Sequence, residues 1–171
     1  GLDAIEYEGK LYAIGGWDGS LVLEVFDPVS GSWTQFSPLP VAQSGLAAAR
    51  VNDQIYTFGS YGPQTTVQIY DISEDSWSVG PSLPTALYWA TAETIGDKIY
   101  VIGGWSPGGA GALDTIFILD TATNTWSAGA AMPASAQIPS SAVYAGEIYV
   151  FPVNYKYNPS INSWTSFAGP P

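Results

Sequence analysis

The sequence predicts an all-β fold built from four copies of one four-stranded unit, on three observations. A single phrase recurs along the chain. Lys98-Ile99-Tyr100-Val101-Ile102-Gly103-Gly104-Trp105 is matched by Lys10-Leu11-Tyr12-Ala13-Ile14-Gly15-Gly16-Trp17, by Gln54-Ile55-Tyr56-Thr57-Phe58-Gly59-Ser60-Tyr61 and by Glu147-Ile148-Tyr149-Val150-Phe151-Pro152. Its tyrosines step by 44 (56−12), 44 (100−56) and 49 (149−100) residues, the period of a β-propeller blade and not of a helical solenoid. The apolar residues fall in short runs rich in Val, Ile, Tyr, Phe, Trp and Thr, bounded by Gly, Pro, Asp, Asn and Ser, which is strand chemistry. No stretch carries capped helical spacing. With 171 residues, 14% aromatic and 11% charged, the chain suits one packed domain and not a disordered one.

The strands of the first unit are expected at residues 2–7, 10–14, 21–26 and 32–36. A tight hairpin at Glu8-Gly9 joins the first two, and Gly15-Gly16 closes the second, where glycine permits positive φ and close backbone approach. Trp17-Asp18-Gly19-Ser20 forms a loop, Asp27 to Gly31 a turn, and Trp33 sits on the outer strand. The second unit is expected at 45–51, 54–58, 66–70 and 76–79. The third begins near 88–92 and continues through 98–102, 115–119 and 125–127. Its loop from Trp105 to Asp114 is enlarged and glycine-rich, which accounts for the longer step. The fourth begins near 140–144 and ends with Trp164 and Phe167, its own loop nearly deleted. No linker separates the copies, so a single domain over 1–171 is expected, with blades at about 1–40, 41–84, 85–133 and 134–171.

Three further landmarks repeat in register. Phe26-Asp27, Tyr70-Asp71, Leu119-Asp120 and Tyr157-Asn158 fill one position. Trp33, Trp77, Trp126 and Trp164 fill the next, and Pro40, Pro84, Pro133 and Pro170 trail. Together with the Tyr and Gly-Gly positions, this pattern resembles the kelch repeat over essentially the whole chain. The resemblance implies a kelch-type β-propeller of four four-stranded blades, either a closed four-blade ring or part of a larger or multi-chain propeller. It also implies that the loops before each first strand reach the same face as the loops after the glycines. Copy two departs from the pattern with Gly59-Ser60, and copy four with Phe151-Pro152-Val153.

Composition removes several function classes. The formal charge is −11, with Lys10, Arg50, Lys98 and Lys156 as the only cations. A nucleic-acid surface needs a basic groove that displaces condensed counterions, and four scattered cations cannot build one. Anionic lipid is disfavoured on the same ground, and no apolar run approaches a membrane span. Without cysteine there are no disulfides, catalytic thiols or thiolate metal sites; without histidine there is no imidazole acid–base chemistry or Ser-His triad. The copper radical oxidases of the kelch fold, which use histidine and a cysteine-crosslinked tyrosine, are therefore not matched. Neither are kelch adaptors that read acidic peptides with arginines, since Arg50 stands alone. Asp18, Asp53, Glu74, Asp75, Asp97 and Asp114 lack calcium-loop spacing and read as solvated charge. No cofactor is expected. The acidic, cysteine-free composition suits an extracellular protein. The chain shows no signal peptide and no initiator Met, so it is expected to be processed, excised or a fragment.

The repeated Trp33, Trp77, Trp126 and Trp164, the repeated Tyr12, Tyr56, Tyr100 and Tyr149, and the turn residues Asp27, Asp71 and Asp120 recur in step with the blades and read as structural. No carboxylate lies in an apolar pattern that would raise its pKa. The aromatics just after the glycines are different. Trp17, Tyr61 and Trp105, with Tyr155 in the equivalent place in copy four, lie in loops at one face, where they either bind a ligand or cap the channel against each other. Tyr88, Trp89 and Gln137 are supporting candidates. The expected function is a non-catalytic binding module, extracellular, that recognises a protein or a glycan through these rings. One alternative is a structural subunit that assembles with other chains, or with its own copies, into a larger propeller or a polymer. Another is a carbohydrate-active enzyme using paired carboxylates.

Overall fold

The structure, a computed structural model, describes residues 2–17 and 20–169. Asp18 and Gly19 of the first loop and Pro170, the trailing proline of copy four, lie outside them. Among the described residues there is no helix. Blade one holds β1 (Leu2–Tyr7), β2 (Lys10–Gly15), β3 (Leu23–Asp27) and β4 (Ser32–Gln35). Blade two holds β5 (Ala47–Val51), β6 (Gln54–Phe58), β7 (Val67–Asp71) and β8 (Ser76–Val79). In blade three come β9 (Thr91–Ile95), β10 (Lys98–Ile102), a small hairpin of β11 (Trp105–Ser106) and β12 (Gly111–Ala112), then β13 (Ile116–Asp120) and β14 (Thr125–Ala128). Blade four holds β15 (Ser140–Tyr144), β16 (Glu147–Phe151), β17 (Tyr155–Asn158) and β18 (Ser163–Ser166). Each blade is a four-stranded antiparallel meander paired in chain order, and the four make a four-bladed β-propeller.

One expectation needs correction, and two loops are given their form. Blade three starts at Thr91 and not at Tyr88, because Tyr88 and Trp105 exchange backbone bonds (2.8 and 3.1 Å) that hold the 88–90 stretch outside the ladder. The enlarged, glycine-rich loop of that blade folds back as the hairpin of β11 and β12, with Trp105 opposite Ala112. In blade four the missing glycine pair is replaced by a turn at 152–154 in which Asn154 takes φ +58°, and its N–H reaches the Val150 carbonyl at 3.0 Å. Asparagine is among the residues that tolerate that conformation.

The turn residues behave as their chemistry demands. Asp27 accepts from the Val29 and Ser30 N–H groups, Asp71 from Ser73 and Glu74, Asp120 from Thr123, and Asn158 from Ser160. The glycines that end the second strands serve close approach to the next blade's connector. A Cβ on Gly59 would stand 2.6 Å from the Leu87 carbonyl oxygen, and one on Gly103 2.9 Å from that of Ala136.

The core is a series of blade-to-blade layers. Tyr12, Ile14, Leu23 and Val25 of blade one pack on Ala48, Ile55, Tyr70 and Trp77 of blade two. Tyr56, Phe58, Val67 and Ile69 pack on Ile99, Val101, Leu119 and Trp126 of blade three. Tyr100, Ile102 and Ile116 pack on Ile148, Val150, Tyr157 and Trp164 of blade four. Every one of these seams is pinned by an indole. Trp77 donates to the Ser37 carbonyl at 2.8 Å, Trp126 to Pro81 at 2.9 Å and Trp164 to Ala130 at 2.7 Å. Among the described residues no such layer joins blade four to blade one. There Trp33 is 56% exposed and rests on Phe26 of its own sheet, ring centres 5.0 Å apart. The structural reading of the repeated Trp, packing between neighbouring blades, thus holds for Trp77, Trp126 and Trp164, each half-buried, and not for Trp33. Tyr149 likewise is only half-buried, where Tyr12, Tyr56 and Tyr100 are buried.

Candidate functional site

The end of β6 and the connectors that precede β5 and β9 meet at one mouth of the propeller. Past Gly59, the Ser60 N–H bonds to Leu87 and the Tyr61 N–H to Ser44 (2.9 Å), which sets Tyr61 beside the connectors. Trp89 sits in the left-handed region at φ +56°, a costly conformation for a bulky side chain. Two contacts hold it there. Its N–H bonds to the Gly45 carbonyl at 2.8 Å, and its indole lies where a Gly45 Cβ would be, 2.6 Å from ring atom Cδ1. Gly45 is therefore the residue that makes room for Trp89.

The rings form a continuous edge-to-face run. Tyr61 meets Tyr88 at 5.0 Å and 64°, and Tyr88 meets Trp89 at 4.7 Å and 71°. Tyr88 is buried beneath its neighbours, while Tyr61 is 66% and Trp17 63% exposed. Trp17, Ser44, Tyr61 and Trp89 line a groove of about 520 Å³. Four of the six candidate aromatics are thereby brought together: Trp17, Tyr61 and Trp89 as walls and Tyr88 as support. Trp105 is tied to Tyr88 through the backbone, but its ring covers Gly111 of its own hairpin. Tyr155 lies elsewhere, packed on the layer between blades three and four. Gln137 is exposed.

Trp89 also borders a second cavity. The central channel, about 470 Å³, is lined by the innermost strands of all four blades, with Asp3, Thr91, Glu93, Ser140 and Ser141 among its polar groups. Asp3 accepts from the Ala48 N–H at 2.7 Å and the Ala4 N–H at 2.8 Å. Burial outweighs those bonds and pushes its carboxyl above the ordinary range. Glu93 accepts from the Ser141 hydroxyl at 2.7 Å, and Ser141 lies 2.6 Å from the Thr91 hydroxyl. Burial again raises the carboxyl, the Ser141 bond opposes it, and the negative charge of Asp3 adds to the rise. Sequence reasoning misses these two acids, since it expects no carboxylate to be raised. An innermost strand is flanked by other innermost strands, so alternation along one strand does not report its surroundings.

Acidic loop groups lie at the opposite ends of the strands. Asp53, Asp71 and Asp97 line a depression of about 500 Å³, and Asp53 accepts from the Tyr7 hydroxyl at 2.7 Å. That bond, more than any other cause, pushes the Tyr7 phenol up to about 12. Each of the four cations is already engaged. Lys10 lies 4.0 Å from Asp27, Lys98 2.7 Å from Asp120 and Lys156 2.6 Å from Glu147. The Arg50 guanidinium donates to the Asn52 carbonyl and lies 4.9 Å from the Tyr7 ring centre. Among the described residues no three acidic groups converge as metal ligands would.

No curated protein is significantly similar to the chain. One family model, described as the KLHDC2/KLHL20/DRC7 Kelch-repeats domain, nonetheless matches residues 1–166. The chain belongs to that kelch family.

Proposed function

We propose that the protein is a non-catalytic, extracellular binding module that receives a glycan or a protein segment in the groove of Trp17, Ser44, Tyr61 and Trp89. Kelch domains are generally interaction modules, and the aromatic groove is the observation that supports this reading. Trp17 and Tyr61 present open ring faces that the fold does not need for its core. A pyranose or a prolyl segment covers such faces with apolar C–H surface, while Ser44 and the Tyr61 hydroxyl supply polar orientation. The net charge of −11 disfavours acidic ligands, so the partner is neutral or basic.

Titration with neutral oligosaccharides and with proline-rich peptides tests this, using wild type, Trp17→Ala and Trp89→Ala. The expected result is binding by wild type and a loss of at least about tenfold on Trp17→Ala, as for a ring anchor at an interface, with an unchanged circular dichroism spectrum. Equal binding by wild type and Trp17→Ala would remove the groove from the reading. Carboxylate chemistry has one observation in its favour, the raised Asp3 and Glu93 in the channel. Glycan hydrolysis abolished by Glu93→Gln in a folded protein would favour it.

A further inference from the structure

The two end faces of the propeller are halves of the seam that the chain makes three times. On β16, Tyr149 and Phe151 alternate with Ile148 and Val150, which face blade three. Tyr149, Phe151 and Phe167 therefore form an outward aromatic face, with both ring-centre distances to Phe167 at 5.2 Å. Tyr144, 72% exposed, extends it. At the other end, Leu11 alternates with Tyr12 on β2 and pairs with Phe26, which in turn pairs with Trp33. Leu2, Leu11 and Trp33 are 62%, 42% and 56% exposed.

The details of the seam match as well as its apolar character. In each packed seam the indole acceptor is the carbonyl four residues after the preceding blade's Trp: Ser37, Pro81 and Ala130. The same place in blade four is Ala168, which is exposed, and among the described residues Trp33 makes no comparable bond. Two packed seams add a second bond. The Ser37 N–H donates to Asp75, which also accepts from the Tyr70 hydroxyl. The Ala130 N–H donates to Asn162, which also accepts from the Tyr157 hydroxyl. At the Pro81 seam there is no N–H to donate and Leu119 replaces the tyrosine, yet the blades pack there all the same. The indole bond is thus the shared element and the second bond is dispensable. The unmade seam is set up for the indole bond alone: Phe26 stands at the tyrosine position, and Gly31 stands where the others have Asp75 and Asn162.

We propose that the blade-four face of one molecule docks on the blade-one face of a second copy, with Trp33 donating to the Ala168 carbonyl across the junction. The interface is heterologous, so copies join head to tail, either closing a ring or extending as a chain. Two copies closing through both junctions would make a ring within the range that propellers occupy. The proposal does not rest on the aromatic groove.

Light scattering across a dilution series, with Trp33→Arg and Tyr144→Asp variants, tests it. Wild type is expected at twice 18.1 kDa or more at high concentration, and each variant alone at the monomer mass. An equimolar mixture of the two variants has one intact face of each kind, so it is expected to return to a dimer. Leu11→Arg replaces Trp33→Arg should the latter not fold by circular dichroism. A wild type that stays monomeric up to millimolar concentration overturns the proposal, whether the ends close on each other or another chain covers them. So do single variants that assemble like wild type, and so does a mixture that stays monomeric.

Discussion

Burial in a channel that strips them of water raises the carboxyls of both Asp3 and Glu93, and the charge of Asp3 adds to the rise at Glu93. The pH dependence follows with a definite sign. Between the ordinary values of 3.8 and 4.5 and the raised folded values, the folded state holds protons that the unfolded chain has released. Stability therefore falls as pH climbs through that window. Asp71, Asp120 and Glu147 act in the opposite sense at lower pH. Their carboxyls are held down by Ser73, Lys98 and Lys156 respectively, and their contribution is lost on acidification through the depressed values. Thermal melts of wild type and an Asp3→Asn, Glu93→Gln double variant between about pH 4 and pH 7, a span across which unperturbed carboxyls complete their titration, check this. The variant is expected to lose the downward slope, and parallel curves would show the channel acids to be unperturbed.

Blades are legible in a single sequence because each states its strands, its turn aspartate and its indole in the same register as the others. What escapes is whatever depends on a neighbour. The start of β9 at Thr91 is set by the Tyr88–Trp105 backbone pair, an interaction between segments that alternation within either cannot show. The meeting of Trp17, Tyr61 and Trp89 follows from the phrase after the glycines together with the connector rule, whereas Tyr155, equivalent by count, turns inward because copy four lacks the loop. Connectors also carry specific bonds. Gln43, buried before β5, accepts from the Thr57 hydroxyl at 2.6 Å and from the Gln68 amide at 2.9 Å, a satisfied buried network that fixes the entry into blade two. At this scale the repeated Trp positions separate in energy. Trp126→Ala removes a half-buried ring and its bond to Pro81, at a cost of roughly 3–5 kcal/mol. Trp33→Ala in the monomer costs about 1 kcal/mol, the value of its stacking on Phe26. Urea unfolding of the two variants, at a concentration where both are monomeric, measures the difference; equal costs would mean that Trp33 is already packed in solution.

A molecule of −11 charge whose three lysines are each paired with a carboxylate of their own blade carries a net negative surface. Encounter with neutral or basic partners is favoured over acidic ones, and added salt weakens that preference. The molecule is also a one-dimensional stack bent around an axis, in which each blade is supported by its neighbours alone. Blades two and three are covered on both faces, blades one and four on one. Amide exchange in dilute solution should therefore be graded, slowest at β6 and β10 and faster at β2 and β16, although all four strands occupy the same place in their blades. A flat profile would mean that the propeller opens as one unit. Where the gradient holds, an unpaired end is a fraying end: opening begins at blades one and four and travels inward, and whatever covers those faces slows the unravelling of the whole stack from a site remote from its centre.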